Sequence, residues 1–159
     1  MQQINSKISL RLILFFMLIV WCFGFSFESL FPNSSLAAIS YPLLKHAYGE
    51  VCHQIPSKTF VIENHRLLVC ARCTGIYLGA LVFSFLSLFF FRKLNLGIKL
   101  LYISLLPILI DVIFSSLDIY KYSKLIAFGT GIFFGSIVFI YILTTLENNF
   151  VDKKPVKNG

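Results

Sequence analysis

Two cysteines three residues apart, in the run VCARCTG at residues 69–75, follow a third in CHQIPSKTF at 52–60. A CxxC pair at a turn presents both sulfurs to one metal ion, and zinc then needs two more ligands to complete a tetrahedron. Cys52 is the natural third. The fourth could be His53 or His65, with His46 a further option in the same segment. Adjacent residues such as Cys52 and His53 point in different directions in most backbone conformations, so His65 serves at least as well. The expected metal set is therefore Cys52, Cys70 and Cys73 with His53 or His65, holding zinc or another transition metal.

The same atoms support two other chemistries. Cys73 stands where an apolar run begins. A helix N-terminus there would favour its thiolate, and Arg72 adds positive charge beside it. That is the profile of a redox-active or nucleophilic thiol. A structural disulfide is the third option, natural on an oxidising membrane face, though it leaves one of three cysteines unpaired. Cys22, inside an apolar run, reads as an inert small hydrophobe.

Asp111 is the other residue that asks for a role. It interrupts PILIDVIF, four residues after Pro107. An ionisable group inside a membrane span costs a few kcal/mol and is a functional candidate by default. It could pair with Arg72 or Lys124, ligate a metal or carry protons, and Pro107 should bend the helix beside it. His53, Asp111 and Arg72 are accordingly the candidates for acid–base roles if the protein is an enzyme.

The elements that hold these residues follow from composition. Hydrophobic residues make up 57% of the 159-residue chain and charged residues only 13%, with a mean hydropathy of +0.82. A soluble domain would carry about twice that charge. The 18 phenylalanines suit lipid-facing surface. A spanning helix needs about 20 mainly apolar residues, and four stretches qualify: 8–27, 74–91, 96–115 and 125–146. Arg11 near the start of the first can snorkel to the interface. SSLAA downstream of the first run resembles a signal-processing site, but the run is longer than a signal-peptide core, which favours an uncleaved helix.

The net charge of +7 does not point to nucleic acid, because the basic residues flank apolar runs and no nucleic-acid motif accompanies them. Lys7 and Arg11 precede the first span, Arg92 and Lys93 fill the second loop, and Lys153, Lys154 and Lys157 follow the fourth. By the positive-inside rule both termini are cytoplasmic, which places the long loop at 28–73 and its cysteines on the outer face. Within that loop, SLAAISYPLLKHAYGEV at 35–51 has apolar residues at near-helical spacing. It suggests a short amphipathic helix, bent at Pro42, lying on the membrane or against the bundle. ENH could turn the chain and RLLVC could be extended. A loop this long in so small a protein is usually functional.

TGIYLG at 74–79 and TGIFFG at 130–135 echo one another. Both contain GxxxG, whose small residues let helices approach closely. They could mark two helical hairpins in parallel repeat, independent packing motifs, or faces for homo-oligomer contacts. There is no P-loop, dinucleotide fingerprint, HExxH or GxSxG.

CHQIPSKTF, CARCTGIYLG, the later proline and aspartate, and TGIFFG together resemble the small membrane proteins grouped as domain of unknown function 2085. The resemblance covers roughly residues 45–136. It implies the membrane fold and the candidate site, and no particular reaction.

The expected protein is all-α, a single polytopic membrane domain over 1–159 with four transmembrane helices and a structured loop between the first and second. It is a multi-pass cell-membrane protein whose partner is the lipid bilayer. Its expected feature is a Cys/His metal-binding or thiol site at the outer surface. The alternatives are a membrane enzyme acting on a lipid or quinone, which requires a polar cavity between the second and third spans, and a small transporter or structural subunit.

Overall fold

The computed structural model describes residues 2–32, 34–62, 64–89, 98–117 and 121–151. Four helices are long and apolar enough to cross a membrane: α1 (Gln2–Leu30), α3 (Ala71–Phe89), α4 (Ile98–Ser116) and α5 (Lys124–Leu146). They coincide with the four expected spans. The second begins three residues earlier than expected, which puts Arg72 and Cys73 in its first turn. The second loop with Arg92 and Lys93, and the basic tail, lie outside the described residues.

The segment between α1 and α3 is structured. A fifth helix, α2 (Ser35–Gly49), runs without interruption through Pro42, an exposed position. A single 3-10 turn at Pro56–Lys58 leads into a hairpin of β1 (Thr59–Ile62) and β2 (His65–Cys70). The strands are antiparallel, with Thr59 opposite Cys70 and Ile62 opposite His65. Asn64, at φ 68°, takes the left-handed conformation that Asn tolerates better than most residues at the reversal. The expectation of extended RLLVC is met, and the partner strand Thr59–Ile62 adds a two-stranded element to an otherwise helical chain.

The centre of the bundle is the pairing of α3 with α5, and it is the two GxxxG motifs that make it. A Cβ on Gly75 or Gly79 would strike the Phe128 or Ile132 carbonyl oxygen, and one on Gly131 or Gly135 would strike that of Arg72 or Ile76. The contacts are reciprocal with a constant offset, so the two helices run parallel and related by a local two-fold. Small residues are required because backbone meets backbone here, and no side chain can yield. Ser136 Oγ adds a bond to the Gly79 carbonyl at 3.4 Å. The faces expected to serve homo-oligomer contacts are thus occupied by each other within one chain.

α1 packs on α3, and α4 packs on α5, which keeps α4 apart from α3. At the end away from the cysteines, Arg11 is buried, not extended to the interface. Its Nε donates to Glu147 Oε1 at 2.6 Å and its Nη1 to the Ser87 carbonyl. Glu147 opens a π-helical turn (Glu147–Val151) that continues α5. An arginine 8% exposed beside a carboxylate 8% exposed loses less by pairing than by reaching for water through a crowded helix end.

Candidate metal centre

The loop converges on its three cysteines. Cys52 lies just beyond α2, tied back by its own N–H to the Tyr48 carbonyl at 3.0 Å. Cys70 is the last residue of β2 and Cys73 sits in the first turn of α3. Thr74 Oγ1 closes that junction with a 3.1 Å bond to the Cys70 carbonyl. On the facing strand the Thr59 hydroxyl donates to the Ile55 carbonyl at 2.8 Å. Lys124, at the start of α5, donates to the Thr59 carbonyl at 2.7 Å. The segment from Cys52 to Cys70 is therefore held by hydrogen bonds to α2, to itself and to α5.

The three sulfurs all lie within 4.8 Å of one another, the one group of potential metal ligands among the described residues. All are free thiols. Three thiolates about 2.3 Å from one zinc ion stand about 3.8 Å apart in a tetrahedron, so a contraction of about 1 Å suffices to bind it. Cys52 Sγ accepts the Cys70 backbone N–H at 3.2 Å. Hydrogen bonds from the Cys70 and Cys73 thiols, together with this amide, outweigh burial and draw the Cys52 thiol well below the usual thiol range. Donors aimed at one sulfur stabilise its anion, the form that ligates metal.

Gln54, two residues beyond Cys52, has an unusual backbone. Its φ is 49°, an uncommon value for a non-glycine residue, and its side chain is anchored by Nε2 to the Lys45 carbonyl at 3.0 Å. Nothing in the residue type announces this conformation.

A cavity of about 210 Å³ opens beside the sulfurs, lined among others by His53, Gln54, Lys58 and Arg72. His53 is exposed at this cavity. His65 is at the opposite end of β2, five residues and about 17 Å of extended strand from Cys70, and stands apart from the cluster. Cys22 is buried in α1, outside the group. Arg72, between the two cysteines of the motif, turns away to pair with Asp111 of α4, and Asp111 is only 4% exposed. Lys124, the other partner considered for Asp111, donates to the Thr59 carbonyl.

A second, open groove of about 460 Å³ lies between α4 and α5, lined by Pro107, Ile110, Asp111, Phe114, Ile126 and Thr130. It differs from the polar cavity expected between the second and third spans. Those helices are separated by α5, and the groove's lining is apolar apart from Asp111 and Thr130.

Residues 52–141 match the family model described as predicted membrane protein (DUF2085). The chain is 36% identical over 101 residues to an uncharacterised protein of Methanocaldococcus jannaschii, covering 60% of this chain and 64% of that protein. It is 32% identical over 83 residues to an uncharacterised protein of Methanothermobacter thermautotrophicus, covering 52% of this chain and 75% of that one. No solved structure matches it.

Proposed function

The chain belongs to the DUF2085 family of predicted membrane proteins, and from that premise we propose that it carries a zinc-class metal centre at the membrane surface, with Cys52, Cys70 and Cys73 as ligands. The observation that supports this best is the convergence of three thiols within 4.8 Å, with the Cys70 backbone amide donating to the sulfur of the first. A disulfide between two of them would use only part of that arrangement. Three sulfurs with a cavity on the fourth side match the three-ligand, open-position geometry of reactive zinc sites better than the closed four-ligand sets of structural ones. Zinc held in this way would polarise a water or other donor in the cavity. His53, exposed on the cavity wall, would have to turn inward to complete the set or to handle a proton there; Arg72, balanced by Asp111, would be the charge partner of the thiol site. The basic flanks put the termini in the cytoplasm and the metal centre on the outer face.

Elemental analysis of protein purified in mild detergent under reducing conditions tests this reading. One equivalent of zinc, or of another transition metal, is the expected result. Metal-free protein with a Cys70–Cys73 disulfide would overturn it.

A second reading, an enzyme acting on a lipid-soluble substrate, draws on the α4–α5 groove. Asp111 lines that groove and also binds Arg72, which lines the thiol cavity. A substrate in the groove would thus lie one ion pair away from the thiols.

A further inference from the structure

The surface of α2 divides into three sectors. At 100° per residue, Ala37, Tyr41, Leu44 and Tyr48 fall within about 60° of one another, and these are the side chains packed into the fold. Leu36, Ile39 and Leu43 form a second row, also within about 60°, and are 70%, 77% and 72% exposed. Lys45 projects from the opposite side, about 150° from the middle of that row. A helix exposed to water on both free flanks has no reason to segregate three large apolar residues onto one flank and its lysine onto the other.

We infer that α2 is an interfacial helix whose Leu36–Ile39–Leu43 flank is seated in the lipid leaflet on the cysteine side, with Lys45 at the aqueous edge. Continuity with the lipid-facing surface of α1 supports lipid as the occupant. The last turn of α1 and its exit carry Leu30 and Phe31, both about half exposed, and lead into α2 across a short connection. A helix that leaves a span directly and carries an apolar flank on one side and a basic residue on the other fits the boundary between headgroups and acyl chains.

The seat and the thiol cavity form one unit. Tyr48 Oη donates to the Trp21 carbonyl of α1 at 2.7 Å. Cys52 N–H and Gln54 Nε2 bind the Tyr48 and Lys45 carbonyls of α2, each at 3.0 Å. The depth of α2 in the leaflet therefore sets the level of the cavity at the headgroups. This inference holds whether or not the cysteines bind metal.

Tryptophan fluorescence in nanodiscs tests it. Trp21 is the sole native tryptophan, so the emission added by Leu36→Trp, Ile39→Trp, Leu43→Trp or Lys45→Trp is read as a difference from the parent. The three flank variants should emit to the blue and lose most of the added emission in brominated phosphatidylcholine. Lys45→Trp should emit to the red and be quenched by acrylamide. Acrylamide quenching of the flank variants equal to that of Lys45→Trp would overturn the inference. So would blue emission that brominated lipid leaves unchanged, which would mean that a protein surface covers the flank. Each of the three positions reports independently, so one misfolded variant does not remove the test.

Discussion

Arg72 and Asp111 join two helices that otherwise barely meet. Arg72 lies between the paired cysteines in the first turn of α3, Asp111 lies in α4, and α5 stands between those helices. The ion pair is thus a direct bond from the cysteine-bearing segment to the most peripheral span, and it gives the carboxylate a counter-charge within an apolar helix. It explains why an aspartate is tolerated within PILIDVIF, and it ties the position of α4 to the thiol cavity.

Removing one member of this pair should be worse than removing both. Asp111→Ala leaves the Arg72 guanidinium without its carboxylate and should cost about 3 kcal/mol, the low end for a broken buried pair, since the Arg72 side chain retains 22% exposure. Arg72→Met with Asp111→Leu should recover most of the loss. Thermal unfolding in detergent checks this. Additive effects of the two changes would mean that the residues are not coupled.

The glycine pairing makes a sharper demand. Gly135→Ala places a methyl group against the Ile76 carbonyl, and Gly75→Ala places one against that of Phe128. Because the obstacle is backbone, each should cost about 1–3 kcal/mol or more by forcing α3 and α5 apart. Gly129, two residues from Gly131, has nothing within 4 Å of its would-be Cβ. Gly129→Ala should therefore be neutral or stabilise by about 0.5–1 kcal/mol through helix propensity. Equal effects at positions 129 and 135 would contradict the close approach of the two helices.

How much of this was legible beforehand depends on whether the signal was local. The four spans could be read from length and hydropathy because hydrocarbon forces each to satisfy its own backbone. Hydropathy places the start of α3 three residues late, because the charge of Arg72 masks the first turn. TGIYLG and TGIFFG could be seen as close-packing motifs, but nothing in either one says that its partner is the other. That the three cysteines come together could be read from residue type and spacing. The left-handed Gln54 on the cavity wall could not. A hydropathy profile treats each span alone and so sends Arg11 to the interface, because its partner Glu147 is 136 residues away.

Substitution of the candidate ligands should sort them by distance from the cluster. Cys52→Ala, Cys70→Ala and Cys73→Ala should each abolish stoichiometric metal, while Cys22→Ala should retain it. His53→Ala should weaken binding by about 10–100-fold, the range for a group supporting a metal site. His65→Ala, at the far end of the hairpin, should bind as the parent does. Competition with a chromophoric chelator measures all of these. A loss at His65 equal to that at Cys52 would require a rearranged hairpin and would count against the three-thiol centre.

Arg11 and Glu147 offer the last test, at the opposite end of the bundle. If Arg11 merely snorkelled, Glu147→Ala would change little. Here both side chains are only 10% exposed, and Arg11 also holds the Ser87 carbonyl at the end of α3. Glu147→Ala should therefore strand a buried cation and cost about 3–5 kcal/mol. Arg11→Met should cost less. Met fills most of the volume that Arg11 occupied, whereas Glu147→Ala leaves both an unpaired cation and a void. Arg11→Met with Glu147→Leu should restore most of the stability, because an apolar pair of similar volume replaces the ionic one at no desolvation cost. The order Glu147→Ala, then Arg11→Met, then the double variant, from least to most stable in thermal unfolding, is the expected result. A Glu147→Ala variant as stable as the parent would mean that this end of α1 is solvated, and that the pair does not hold α1 against α5.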